Sequence, residues 1–436
     1  MKIKTSTAFF FTIFFFIHCI YAQNHNLLTA RNVFDDIKDI LSKEDGKTWG
    51  VNLYGALMLV DKATREFIAN EQNNSGSLIK KEGLFYGRLD DKAVIANTSI
   101  NIDGKLWTMA MLPLPEDKDA MRTLIIHELF HSVQDKLNLK PDAGMNNHLD
   151  SKSARIYMRL EWNALLKAYL ETDGNKRTSY IKDALLFRDL RRKEFTGASA
   201  KENCLELQEG LAEYTGLKLG VTEKQNIQKY IASKVNNAMQ MFPSFIRAFA
   251  YVSGPLYGLL LDESGGKWRG ELKPESDLGK LLGMYYSIEP ETNPESVFEK
   301  RKEDYGFKII EEFENDREIK NNKMVEEYRK GLVTGPVLML PNSKMQFEFN
   351  PGELVSLGES GNVYPHFKGV AEWGVIKSEK GALVSSDWMR VFVSAPFKIE
   401  GNKVIGNGWV LVLNDGWEIV PYKEDCFTIK KTGGKK

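Results

Sequence analysis

The spacing of apolar and polar positions divides the chain into three stretches of different texture. An amphipathic helix is predicted over residues 26–41. Short apolar runs follow, at 51–60 and 66–70 about a turn at Asp61-Lys62, with a polar loop at Asn73-Asn74-Ser75-Gly76. Residues 93–102 and 106–114 read as strands joined by the hairpin signal Asp103-Gly104. Pro113 and Pro115 close the second of these. Because proline is confined to strand ends and edges, 106–114 is a candidate for an exposed sheet edge to which an extended peptide can add as a further strand; interior sheet is the alternative. From Asp117 to about Arg329 the period becomes helical. Helices are expected over 115–137, 151–170, 179–193, 201–219 and 224–241. An apolar run at 245–261 should be kinked or split by Ser253-Gly254-Pro255. Residues 307–329 are charged and read as a solvated helix leading out of the domain. Residues 336–429 carry short apolar runs between turn signals such as Glu400-Gly401-Asn402 and Asn414-Asp415-Gly416, the texture of a sandwich or small barrel. No internal repeat is present. The expectation is an α+β chain: a small N-terminal sheet and helical body over 23–334, then an all-β domain over 335–436.

Residues 1–22 read as a signal peptide. Lys2 and Lys4 form a basic start, an apolar run dominated by phenylalanine follows at 8–17, and Ile20-Tyr21-Ala22 precedes Gln23. The run is short for a membrane span, and an uncleaved anchor is the lesser alternative. Cys19 lacks the preceding small residues of a lipidation site. The signal resembles those of Gram-negative bacteria, so a periplasmic or secreted chain is expected, with no membrane span in its mature part. Lys plus Arg and Asp plus Glu both number 59, which gives none of the basic bias of a nucleic-acid binder. Cys204 and Cys426 could pair in an oxidising compartment, but no CxxC spacing exists for a cysteine-based zinc site.

The chemistry concentrates in the first long helix. His127-Glu128-Leu129-Phe130-His131 reads H-E-x-x-H, in a chain with only 6 histidines. Positions i and i+4 lie on one helix face, so His127 and His131 can offer two imidazoles to one ion. Glu128 is turned about 100° from His127 and stands beside the ion, where a general base belongs. Leu124, Ile125, Ile126, Leu129, Phe130 and Val133 make the helix apolar nearly all round, hence buried, and buried polar groups require partners.

A catalytic zinc takes three protein ligands and keeps one open position. The best third candidate is Glu209 in Glu206-Leu207-Gln208-Glu209-Gly210-Leu211-Ala212-Glu213-Tyr214, where Gly210 and Ala212 are small enough for another helix to come close. Glu213, at i+4, can orient one histidine through its free ring nitrogen. HELFH followed by a helix reading E-G-L-A-E-Y resembles the gluzincins, the zincin metallopeptidases whose third ligand is a glutamate on a downstream helix. That resemblance implies His127, His131 and Glu209 as zinc ligands, Glu128 as general base and Glu213 as an orienting group. The gap from His131 to Glu209 is longer than in the thermolysin-like enzymes, and Glu161, on a nearer helix, is a rival third ligand. No histidine continuation of the metzincin kind follows. The resemblance covers two short motifs and a strand expected before them, and extends to neither the rest of the chain nor the β-rich region.

His148 is a candidate transition-state donor or substrate contact, or equally a loop histidine before a helix that Asp150 caps. Tyr214, Tyr251 and Tyr257 are possible donors but read better as packing residues. His25 and His366 read as structural or surface residues. Arg155 and Arg159 read as salt-bridge partners of buried carboxylates, and Trp373, Trp388, Trp409 and Trp417 as packing residues of the β domain. The predicted function is zinc-dependent hydrolysis of peptide bonds in a peptide or protein substrate. A zinc hydrolase of another amide or ester, and a zinc-containing binding protein on a metallopeptidase scaffold, are the alternatives.

Overall fold

Leu57, Met58, Leu59 and Val60 are all buried, and a strand buried on both faces belongs at the centre of a covered sheet. The computed structural model describes residues 29–139, 141, 144–350, 352–395 and 397–432; the signal-peptide reading of 1–22 lies outside them. The chain divides into two compact units, one running to Asp91 and resuming over Ile95–Val133, the other taking Lys92–Val94 and Gln134 onward.

In the first unit, helix α1 spans 29–44, with Ala30, Val33, Phe34, Ile37 and Leu41 buried on one face. Strands β1 (Leu57–Asp61), β2 (Glu66–Ala69), β3 (Ile79–Lys81), β4 (Leu84–Arg88), β5 (Thr98–Ile102) and β6 (Lys105–Leu112) form one sheet in the order β3-β4-β2-β1-β6-β5. The predicted hairpin at Asp103-Gly104 is present between β5 and β6, both turn residues having positive φ. A second tight hairpin, β3 to β4 through Glu82-Gly83, was not legible, because β3 is exposed along its length and carries no burial period. The edge assignment is corrected. β6 runs parallel to β1 on one side and antiparallel to β5 on the other, so β5 is the edge. Pro113 and Pro115 follow the last residue of β6, where their missing N–H groups remove nothing from the ladder.

Helix α2 (Lys118–His131) closes this unit. The Asp117 side chain accepts from the Ala120 amide at 2.8 Å as N-cap. Arg122 grips Asp36 of α1, its Nε 2.6 Å from Oδ2. The helix stops at His131, where Ser132 Oγ donates to the Leu129 carbonyl at 2.7 Å, so it is shorter than 115–137.

The second unit holds α3 (Lys152–Leu170), α4 (Gly174–Glu194), α5 (Ala198–Leu205), α6 (Leu211–Gly220), α7 (Lys224–Met241), α8 (Ala250–Glu263), α9 (Leu278–Tyr285), α10 (Pro294–Arg301) and α11 (Phe307–Arg329). Two of these differ from expectation. Helix α8 runs unbroken through Pro255: the proline sits in the second turn, where its missing N–H removes one helical hydrogen bond. Helix α11 is not simply solvated. Glu314 on it is fully buried, accepts a hydrogen bond from Arg155 Nε of α3 at 2.8 Å, and forms an ion pair with Arg159 of the same helix, whose Nε lies 2.6 Å from Oε1. The salt-bridge reading of both arginines is thus met by a carboxylate distant in sequence.

Strands β7 (Val337–Pro341), β8 (Gln346–Phe349), β9 (Val355–Ser356), β10 (Asn362–Tyr364), β11 (Phe367–Ala371), β12 (Gly374–Ser378), β13 (Ala382–Val384), β14 (Arg390–Ser394), β15 (Phe397–Glu400), β16 (Lys403–Gly406), β17 (Trp409–Leu413), β18 (Trp417–Lys423) and β19 (Cys426–Lys431) complete the unit. They form a seven-stranded and a six-stranded sheet. Leu338, Leu340, Val391 and Val393 of one sheet and Phe367, Ile376 and Leu411 of the other share one core, which makes the region a sandwich. Trp373 and Trp409 are buried in that core and Trp417 packs on it, whereas Trp388 is exposed. The fold is therefore mixed α+β, with a helical body and β-sheets toward the C-terminus. Among the described residues, no helix is long and apolar enough to cross a membrane.

Candidate metal centre

On α2, His127 and Glu128 are buried among Ile125, Ile126, Leu129 and Phe130, so the apolar surround expected of the motif is present. The imidazoles of His127 and His131 meet edge to face, with ring centroids 4.8 Å apart. Their Nε2 atoms are 3.1 Å apart. Two nitrogens each about 2.0–2.1 Å from one tetrahedral ion stand about 3.3 Å from one another, so the observed spacing is compatible with two ligands of a shared ion and equally with an N–H···N hydrogen bond between the rings.

Glu209 arises from a local irregularity. The predicted single helix over 201–219 is α5 and α6 joined by a π-helical turn, Glu206–Gly210. Such a turn inserts one extra residue into the helical path and is frequent at functional sites. In a regular helix Glu206 and Glu209, three positions apart, would share surroundings. Here they do not: Glu206 is fully buried in a cluster of arginines, while Glu209 lies in a different, more open setting. The freed backbone of the turn is held by Gln134, three residues after His131, whose Nε2 donates to the carbonyls of Leu207 at 3.2 Å and Gln208 at 2.7 Å. Sequence reading missed Gln134, since a lone glutamine after a helix carries no signal.

The turn is pressed against α8 where two glycines meet. A Cβ on Gly254 would fall 2.2 Å from Gly210 Cα, and one on Gly210 would fall 2.9 Å from Gly254 Cα. Gly254→Ala must therefore push backbone against backbone. We expect it to destabilise the chain by about 1–3 kcal/mol or more and to weaken metal binding along with it. Thermal denaturation and zinc titration of the variant check this; a variant as stable as wild type would show that the two segments can part freely.

One ligand atom each of His127, His131 and Glu209 lies within 4.8 Å of the others, which makes these three a group that could hold a metal ion. The donor set of two imidazoles and a carboxylate suits a divalent transition ion. Arg247 Nη2 donates to Glu209 Oε1 at 3.1 Å and Tyr251 OH to Oε2 at 2.7 Å, so both carboxylate oxygens are oriented. Glu213 pairs with Lys234.

Glu161, the rival third ligand, is engaged elsewhere. It is fully buried and receives Arg188 Nη1 at 3.1 Å, Arg191 Nη1 and Tyr257 OH at 2.8 Å. Arg188 also grips both oxygens of Glu206, at 2.9 and 2.5 Å. Arg191 and Arg192 hold Glu202, and Arg192 reaches Asp277 at 2.6 Å. Burial by itself would raise the Glu202 and Asp277 carboxyls; the adjoining guanidinium charges outweigh it and hold both well below the usual carboxylate range. The network bolts α3, α4 and α5 together around the turn that carries Glu209. His148 belongs to it: its Nε2 lies 2.8 Å from Glu202 Oε1 and its ring packs on Phe195, so this nitrogen is committed to the network. Tyr214, whose OH donates to Asp262 at 2.7 Å, Tyr251 and Tyr257 are all donors to carboxylates. His366 is a surface residue bonded to Glu353, and no disulfide joins Cys204 to Cys426. No protein family, no curated protein and no solved structure matches this chain.

Proposed function

We propose that this chain is a zinc-dependent metallopeptidase of the gluzincin kind, secreted or periplasmic, with zinc on His127, His131 and Glu209. The observation that carries the reading is the convergence of these three side chains with the buried Glu128 next to the first of them in the chain. Two imidazoles and one carboxylate leave the fourth position of a tetrahedral ion open, as a catalytic site requires and a structural site does not. Bound there, zinc supplies a Lewis acid at the scissile carbonyl and lowers the pKa of water. Glu128 takes the proton of the attacking water and passes it to the leaving amine. A glutamate at this position of the motif has that use in hydrolysis and none in a pure binding site. Arg247 and Tyr251 fix the Glu209 carboxylate, the service that hydrogen-bonding partners of metal ligands commonly perform.

The test is elemental analysis of the purified mature protein together with a peptide-library screen. About one zinc per chain, and hydrolysis that a chelator abolishes and added zinc restores, is the expected result. A chain that takes up no transition metal when zinc is supplied contradicts the reading.

A further inference from the structure

Residues 244–261, which lead into and form most of α8, are buried at every position except Arg247 and Tyr251. Those two, four positions apart, both direct their polar ends at Glu209. The bond to Glu209 occupies one of the five N–H groups of Arg247. Structural arginines of the same unit look different: Arg188 and Arg191 are almost wholly buried and spend their donors on several carboxylates. Arg247 keeps its side chain 24 % exposed, and among the described residues no second carboxylate or carbonyl takes its other donors.

Its mounting is rigid. Ile246 is fully buried in the sandwich core. The Phe245 amide donates to Asp150 Oδ1 at 2.7 Å and the Ser244 amide to the Gly352 carbonyl at 3.1 Å. The Pro243 carbonyl accepts from Arg317 Nη2 at 2.9 Å. A guanidinium held in place with donors left open matches the planar fork of a carboxylate and loses little freedom on binding one.

From this we infer that Arg247 is a recognition group for a substrate carboxylate, so that the site selects peptides carrying a negative charge close to the bond being cut. The inference rests on the metallopeptidase reading for the peptide nature of the ligand. The carboxylate has two sources, the chain terminus or an Asp or Glu side chain.

The experiment uses short N-acetylated peptides of one sequence in three forms: with a free C-terminal carboxylate, with a C-terminal carboxamide, and with the carboxamide plus an internal Glu. Calorimetry gives their affinities for the zinc-loaded full chain carrying Glu128→Gln, which spares the peptide, with and without Arg247→Gln. Zinc content is measured in each sample. One of the charged peptides should bind about 10- to 100-fold more tightly than the neutral one, and which one does so identifies the source. Arg247→Gln should bring that ratio near one, and Arg247→Lys should keep part of it. Equal affinity for all three, binding of none, or an unchanged ratio in Arg247→Gln overturns the inference. The same comparison on zinc-free wild type separates the two readings. A carboxylate preference that depends on Arg247 in a chain that takes no zinc keeps the inference and removes the peptidase assignment. Zinc-dependent hydrolysis with no charge preference does the opposite.

Discussion

Glu128→Gln is expected to lower peptide hydrolysis by about 10²- to 10⁴-fold, the usual worth of a general base, while the zinc content stays at the wild-type level. The substitution replaces one oxygen by an NH₂ group and preserves volume, so the buried packing beside Ile125 and Leu129 is retained. Glu128 is not among the three converging ligands, and on a helix it is turned about 100° from His127. The change therefore removes the proton acceptor and leaves the metal set alone. Steady-state kinetics with zinc analysis on the same sample read both quantities. Hydrolysis at the wild-type rate would show that Glu128 is not the base, and loss of zinc together with activity would make it a ligand or a support for one.

The second large effect separates two glutamates. Glu209→Ala should abolish stoichiometric zinc binding and leave the folded chain largely intact. Its side chain is 11 % exposed, and its partner Arg247 is 24 % exposed, so that the arginine's charge stays in contact with water where it stands. Glu161→Ala should do the reverse. It strands Arg188 and Arg191, both buried, beside a cavity, and breaking a buried ion pair from one side costs about 3–5 kcal/mol. Chemical denaturation with zinc analysis distinguishes the two, with Glu161→Gln as the milder variant should the alanine form fold poorly. Zinc lost in the Glu161 variants and kept in Glu209→Ala would move the third ligand to Glu161 and remove Glu209 from the metal set.

Much of the architecture is a matter of local periodicity and could be read directly. The switch from period two to period 3.6 near Asp117, and back again near Gly335, follows from which side chains can share a face, and the structure has sheet, helices and sandwich in that order. The Asp103-Gly104 hairpin is likewise local, since the turn demands positive φ where such residues tolerate it. So is the stacking of His127 over His131, which one helical turn imposes. What the sequence left open were choices between distant partners. Glu161 and Glu209 look alike in one dimension, both on helices with small neighbours. They part only because Arg188 and Arg191 on α4 close on the first, while the π turn swings the second toward Arg247 and Tyr251. The interior place of β6 was another such choice, because prolines report on the end of a strand and not on its neighbours. The close approach of α8 to the π turn, where Gly254 meets Gly210, is a contact between residues 44 positions apart (254 − 210). Backbone preference and burial period act over a few residues and are written in the chain; the pairing of buried charges and the meeting of two glycines depend on which segments the fold brings together, and only the tertiary structure decides them.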